Sequence, residues 1–237
     1  LAIRTLVDIV NSMAQAALEA GVSIVTGDTK VVEKGHGDGL FISTSGLGEK
    51  IPGTCVSGKS AKPGDIVLVT GTMGDHGITI LSQREGLGFE AQVQSDTAPL
   101  NHITEALLTA LGEQVHVLRD PTRGGLATTL NEIAAQSKVS IEIDEQAVPI
   151  HPAVASACEF LGLDPLYIAN EGKLIVIVEE DVAQEALSII RSCKYGENAA
   201  VIGRVSSEQP GFVSMKTAIG GKRLVDWLNS DPLPRIC

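Results

Sequence analysis

Positive charge is scarce in this chain: 18 Lys and Arg stand against 29 Asp and Glu, a net charge of −11 over 237 residues. Such a surface repels a phosphate backbone, which excludes nucleic acid as the expected partner. No Cys-x-x-Cys pair occurs, and the four cysteines, Cys55, Cys158, Cys193 and Cys237, lie far apart. That spacing argues against a zinc knuckle or a small disulfide framework and reads as reduced thiols of a cytosolic protein. No apolar run reaches the roughly 18 residues of a membrane span, and no basic leader with an apolar core opens the chain. The expectation is therefore a soluble cytoplasmic protein without a membrane partner. Aromatic residues make up only 3% of the sequence, so the core has to be built from Val, Ile, Leu and Ala, as in layered α/β proteins. Two common nucleotide sites are missing too, since neither GxxxxGK(S/T) nor GxGxxG is present.

With 43% apolar residues and 25 glycines, the chain has the material for one large domain, or one domain plus part of another. Ile3, Leu6, Val7, Val10, Met13, Ala14, Ala17 and Leu18 recur at helical spacing and predict an amphipathic helix ending near Gly21. Because that pattern begins at Leu1 without a capping residue, further natural chain is expected before it. Residues 22–25 and 40–45 read as strands around the polar loop TGDTK at 26–30, which makes an incomplete sheet. A stretch rich in Gly, Ser, Lys and Pro at 52–64 puts a domain boundary near residue 56. Beyond it, strands are expected at 66–70, 115–118, 140–144, 173–178 and 199–205, with helices at 76–85, 99–111, 124–136, 152–161 and 182–191. The fold class expected is α/β, or layered α+β: a partial N-terminal α/β domain at 1–55, a mixed-sheet domain at 56–228, and a tail at 229–237. Pro232 and Pro234 disfavour helix in that tail and hold it extended, like an arm.

Three glycine-rich turns follow strands: Gly27-Asp28-Thr29, GTMGDHG at 71–77 and RDPTRGG at 119–125. Each reads singly as a tight turn, but together they offer backbone N–H groups and helix N-termini that favour phosphate. Asp28 and Asp120 are placed to hold magnesium beside a nucleotide, or else to cap a turn or helix. Lys30 and Arg123 either offset phosphate charge or are solvated surface cations. Glu171, in ANEGK at 169–173, precedes an apolar strand where a general base is commonly mounted, although an ordinary polar turn has the same spacing. Cys237 is the least ordinary residue: a terminal thiol on a proline-stiffened arm can visit more than one site. Arg235 favours its thiolate and the α-carboxylate opposes it, so charge leaves its ionisation open. A prenylation box needs its cysteine four residues from the end and is excluded.

The segments VTGDTKVVEKG at 25–35, GDHG at 74–77, RDPTRGGLA at 119–127, ANEGK at 169–173 and the terminal PRIC at 234–237 together resemble the HypE family of hydrogenase maturation proteins, in the PurM/AIR synthetase-like superfamily. The resemblance covers essentially the whole chain. It implies that a carbamoyltransferase, HypF, loads a carbamoyl group onto Cys237 and that this protein dehydrates it to a thiocyanate with ATP and Mg²⁺. The cyanide then passes to iron on a HypC–HypD scaffold during assembly of a NiFe hydrogenase centre. Carried over by residue, Cys237 is the carrier, Glu171 the base and Lys30 a charge partner of the carbamoyl group. Asp28 binds magnesium with ATP, while Gly27, Thr29, Gly74, Asp120, Arg123, Gly124 and Gly125 line the nucleotide cleft. Family members carry more chain at the front, including acidic Mg–ATP ligands and the strands of a homodimer core. From that departure the fragment alone is expected to be inactive. The alternatives are another ATP-dependent member of the superfamily, of cyclo-ligase or selenophosphate synthetase type, and a non-catalytic carrier and docking fragment.

Overall fold

The computed structural model describes residues 1–37, 39–86 and 93–228; the expected arm at 229–237, with Pro232, Pro234 and Cys237, lies outside the described residues. The chain divides into two units, Leu1–Lys50 and Ile51–Cys237, so the division falls a few residues before the boundary expected near 56. Ile51 packs against the apolar core of the second unit, which accounts for the shift.

In the first unit the periodic apolar residues form helix α1, Ile3–Ala20. It ends where Gly21 turns left-handed (φ 66°), as a glycine can without a Cβ penalty, and the Val22 N–H donates back to the Ala17 carbonyl. No residue of α1 is buried. The strands expected at 22–25 and 40–45 do not form, and Val25 and Phe41 are exposed. A strand exists through its ladder partner, and no segment among the described residues of this unit supplies one.

Among the described residues the second unit is a seven-stranded sheet between helical layers. Its strands are β1 Ile66–Val69, β2 Val115–Arg119, β3 Ser140–Asp144, β4 Ile175–Val178, β5 Ala200–Ser206, β6 Val213–Lys216 and β7 Lys222–Leu224. They lie in the order β2-β4-β1-β5-β3-β6-β7; every neighbouring pair is antiparallel except β3 and β6. The helices are α2 Asp75–Glu85, α3 Asn101–Leu111, α4 Gly125–Ser137, α5 Pro152–Leu161 and α6 Ala183–Ser192. Among the described residues no helix is long and apolar enough to cross a membrane.

The continuous apolar run of β4 is explained by burial on both faces. Side chains alternate across a strand, so Ile175 and Ile177 join Val67 and Val69 against Leu126, Leu130 and Ile133 of α4. Val176 and Val178 join Leu68 on the opposite face, against Ile103 and Leu107 of α3 and Ala186 and Ile190 of α6. Strands β6 and β7 were not expected from the sequence. β7 is the edge strand Lys222-Arg223-Leu224, whose charges suit an edge and hide its strand character. β6 pairs beside β3 and is buried through Val213 and Met215.

Since Ile177 is fully buried on a strand flanked by β1 and β2, Ile177→Ala is expected to cost about 2–5 kcal/mol of stability. Urea unfolding measures this; a loss below about 1 kcal/mol would contradict the packing described.

Candidate functional site

β1 and β2 both run antiparallel to β4, so their C-terminal ends lie on the same edge as the start of β4. In register terms Val69 and Arg119 flank Ile175 from either side. Three connections therefore meet at that edge: residues 70–74 leading into α2, residues 120–124 leading into α4, and residues 169–174 leading into β4. They are the three glycine-containing motifs of the second unit.

One side chain ties them together. Asn170, 1% exposed, accepts the Gly74 N–H on Oδ1 (2.7 Å) and donates from Nδ2 to the carbonyls of Pro121 and Ile168 (both 3.0 Å). Its own N–H donates to Pro121 as well (3.2 Å). Only an amide can do this, because one partner is a donor and the other two are carbonyls. Further bonds close the cluster: Gly77 N–H to the Ala169 carbonyl (3.1 Å), Thr70 N–H to the Leu174 carbonyl (3.0 Å), and Leu174 N–H to Thr70 Oγ1 (2.9 Å).

Glycine is required at two of these positions. At Gly125, φ is +60° and a β-carbon would lie 2.5 Å from the carbonyl oxygens of Leu166 and Ile168. At Gly172 a β-carbon would lie 1.7 Å from the Asp96 carbonyl oxygen, so the backbone of 169–173 rests directly on the segment around Asp96.

Beside this junction lies a buried charged group that sequence reasoning missed. Asp75 opens α2, where the helix N-terminus favours a carboxylate, and the Thr72 hydroxyl donates to its Oδ2. Burial nevertheless pushes the Asp75 pKa up; the Thr72 hydroxyl and the nearby Lys173 ammonium oppose the rise and Asp96 adds to it. Asp96 Oδ1 accepts the Glu171 N–H (3.0 Å), and its Oδ2 lies 3.8 Å from Lys173 Nζ. His76 Nδ1 meets Ser95 Oγ at 2.9 Å. Asp75 Oδ1, Asp96 Oδ2 and His76 Nε2 are buried with no hydrogen-bond partner among the described residues. Nothing in the spacing of the sequence marks Asp96, which sits in a segment without regular structure.

The structure thus gathers Gly74, Gly124, Gly125 and Glu171 at one sheet edge. Gly74 and Gly124 are both left-handed (φ 87° and 70°) at the first turns of α2 and α4, and neither helix has a side-chain cap. Their N-terminal N–H groups are the kind that favour phosphate. Asp120 is on the same loop but bonded to its neighbour Arg119 (2.7 Å), and the Arg123 side chain is exposed. Gly27, Asp28, Thr29 and Lys30 lie in the first unit, all exposed and without regular structure. Cys237 lies outside the described residues. Of the other thiols, Cys158 is buried and its pKa is pushed up to about 11, which makes it a poor nucleophile.

Asn170→Ala would take the side-chain amide away from the Gly74 N–H and the Ile168 carbonyl and remove one of the two bonds to the Pro121 carbonyl, a loss of about 2–4 kcal/mol for a buried, multiply bonded group. The isosteric Asn170→Asp should be at least as damaging, because it turns a carboxylate oxygen toward two carbonyls. Chemical denaturation checks both; an Asp variant as stable as the parent would contradict the geometry.

Residues 62–216 match the family described as AIR synthase related protein, C-terminal domain. A carbamoyl dehydratase HypE from Azotobacter vinelandii is 56% identical over 229 residues, which is 97% of this chain and 67% of that protein. The Escherichia coli K12 carbamoyl dehydratase HypE is 46% identical over 238 residues, covering 100% of this chain and 69% of that one. The chain thus spans about two thirds of the length of these relatives. A crystal structure of the hydrogenase maturation protein HypE in complex with ATP superposes with a TM-score of 0.94 at 53% identity, covering 100% of this chain and 72% of that one. HypE from a HypE–HypF complex gives 0.87 at 48% identity, covering 96% and 73%. On this identity along nearly its whole length, the chain belongs to the HypE family of hydrogenase maturation proteins, with an AIR synthase related C-terminal domain.

Proposed function

We propose that this chain is the greater part of an ATP-dependent carbamoyl dehydratase, which converts an S-carbamoyl group on Cys237 to a thiocyanate that donates cyanide to the iron of a NiFe hydrogenase. The observation that carries the reading is the 46–56% identity to carbamoyl dehydratases along almost the entire chain. It favours this reaction over a cyclo-ligase or selenophosphate synthetase on the same fold, and over a carrier without catalysis.

An amide cannot expel water readily, so the carbamoyl oxygen first has to become a better leaving group. The oxygen attacks the γ-phosphorus of ATP, the bond from that phosphorus to ADP breaks, and one N–H proton is released. A base then takes the second N–H proton; the nitrogen electron pair forms the third C–N bond as the C–O bond breaks and phosphate departs. The sum is S-carbamoyl-cysteine plus ATP giving S-cyano-cysteine, ADP and phosphate.

In this reading Glu171 is the base, held at the sheet edge beside the first turns of α2 and α4. Gly74, Gly124 and Gly125 shape those turns, so that phosphate oxygens meet the N-terminal ends of the two helices. Asp120 and Arg123 line the nucleotide cleft, and Gly27 and Thr29 shape the turn that presents Asp28. Lys30 offsets charge on the reacting carbamoyl group. Mg²⁺ would enter as an ion carried by ATP, with Asp28 as a carboxylate ligand. Bound in that way it would neutralise charge on the transferred phosphoryl group. HypF is the carbamoyl donor partner and the HypC–HypD scaffold the acceptor. The protein acts in the cytoplasm and the complete molecule works as a homodimer; 1–55 belong to its ATP-binding and dimerisation domain.

Intact mass spectrometry of the complete protein with its carbamoyltransferase, carbamoyl phosphate and Mg–ATP tests the proposal. A gain of one carbamoyl group, followed by an ATP-dependent loss of one water, is expected in the parent and in neither form of Cys237→Ala. An adduct indifferent to Cys237, or one that never loses water, would overturn it.

A further inference from the structure

We infer that Asp96 is a positioning residue for Glu171, which it holds by the backbone instead of the side chain. The inference rests on the reading of Glu171 as the base.

Three consecutive residues of the 169–173 segment are fixed by this one aspartate. The Glu171 N–H donates to Asp96 Oδ1 (3.0 Å), the Cα of Gly172 lies against the Asp96 carbonyl, and Lys173 Nζ approaches Asp96 Oδ2 at 3.8 Å. The Asp96 side chain is 1% exposed and that of Lys173 12%. A carboxylate in such a setting is retained only where donors and cations compensate its lost hydration. Here the compensation comes from the residue proposed as the base and from the lysine two positions on.

The segment that carries Asp96 is anchored in turn. Ser95 Oγ pairs with His76 Nδ1 at the start of α2 (2.9 Å) and with Thr97 Oγ1 (2.8 Å). Asn170 bonds the same first turn through Gly74. Glu171 is thus bracketed: Asn170 fixes the residue before it to α2 and to the loop before α4, and Asp96 fixes its own N–H and the two residues after it. A base has to meet its proton within hydrogen-bond reach, and a misplacement of about 1 Å costs on the order of 100-fold in rate. Asp96 never touches the reacting atoms in this account. Its effect passes through the position of Glu171, so it acts on turnover and leaves carbamoylation of Cys237 and binding of ATP alone.

The test is single-turnover dehydration by the complete, carbamoylated protein, with ATP concentration varied. Asp96→Ala is expected to slow dehydration by about 30- to 100-fold, with half-saturation by ATP changed less than about 2-fold. Asp96→Asn keeps an oxygen acceptor for the Glu171 N–H and should recover about 10-fold of that loss, while Asp96→Glu keeps the charge but shifts the acceptor by a methylene and should stay slow. Combining Asp96→Ala with Glu171→Gln should be no slower than Glu171→Gln alone, because a misplaced base and a missing base fail at the same step. If Asp96→Ala does not fold, the Asn and Glu variants make the same comparison. Parent-like rates in Asp96→Ala and Asp96→Glu, a loss confined to ATP saturation, or losses that multiply with Glu171→Gln would each overturn the positioning role while the base reading stands. A parent-like rate in Glu171→Gln itself would sink the base reading, and the positioning role with it.

Discussion

The Asn170 side chain is the constraint on which the site depends. Its amide satisfies a backbone donor from the first turn of α2 and two carbonyls, one of them before α4. The residues it joins are 96 and 49 positions away in sequence for Gly74 and Pro121. Without it, the Gly74 N–H and the Ile168 carbonyl would lose this partner in a buried place and the Pro121 carbonyl one of its two bonds, and an unsatisfied buried group costs more than its bond returns when made. With it, two helix starts and Glu171 share one rigid frame.

The sheet makes this junction possible. Because β4 lies between β1 and β2 and runs against both, two strand ends and one strand start are brought to the same edge. The helices that follow those ends start at the same edge, and a helix start favours anions. The second layer of the site is electrostatic: the Asp96 and Lys173 side chains have little exposure beside the buried Asp75, whose own burial holds its pKa up. Two carboxylates around one ammonium form a compact group that leaves polar atoms open among the described residues. Local rigidity and latent charge thus occur side by side.

Much of the second unit could be read in the sequence, since its strands are apolar runs and its helices carry apolar stripes. The positions of β3 and α5 match expectation, and the other main elements differ by two residues or fewer at their ends. The three motifs GTMGDHG, RDPTRGG and ANEGK were visible, but not which residue of ANEGK does the joining. Composition and spacing cannot report a side chain that reaches across 96 positions, so Asn170 was overlooked in favour of Glu171 beside it. Asp96 was invisible for the same reason, lying in an irregular segment whose order comes from tertiary bonds. Residues 22–25 and 40–45 have strand-like sequences and form no strand here, because strand formation depends on a partner that local sequence does not reveal.

Amide hydrogen exchange at Gly74 tests the central claim most directly. Gly74 precedes α2, where an unpaired loop N–H would exchange freely. Held by Asn170, it is expected to show an opening free energy within about 1–2 kcal/mol of that of β4 amides in the sheet core. Exchange at the rate of an open loop, with β4 fully protected, would contradict the claim that Asn170 clasps the three loops into one frame.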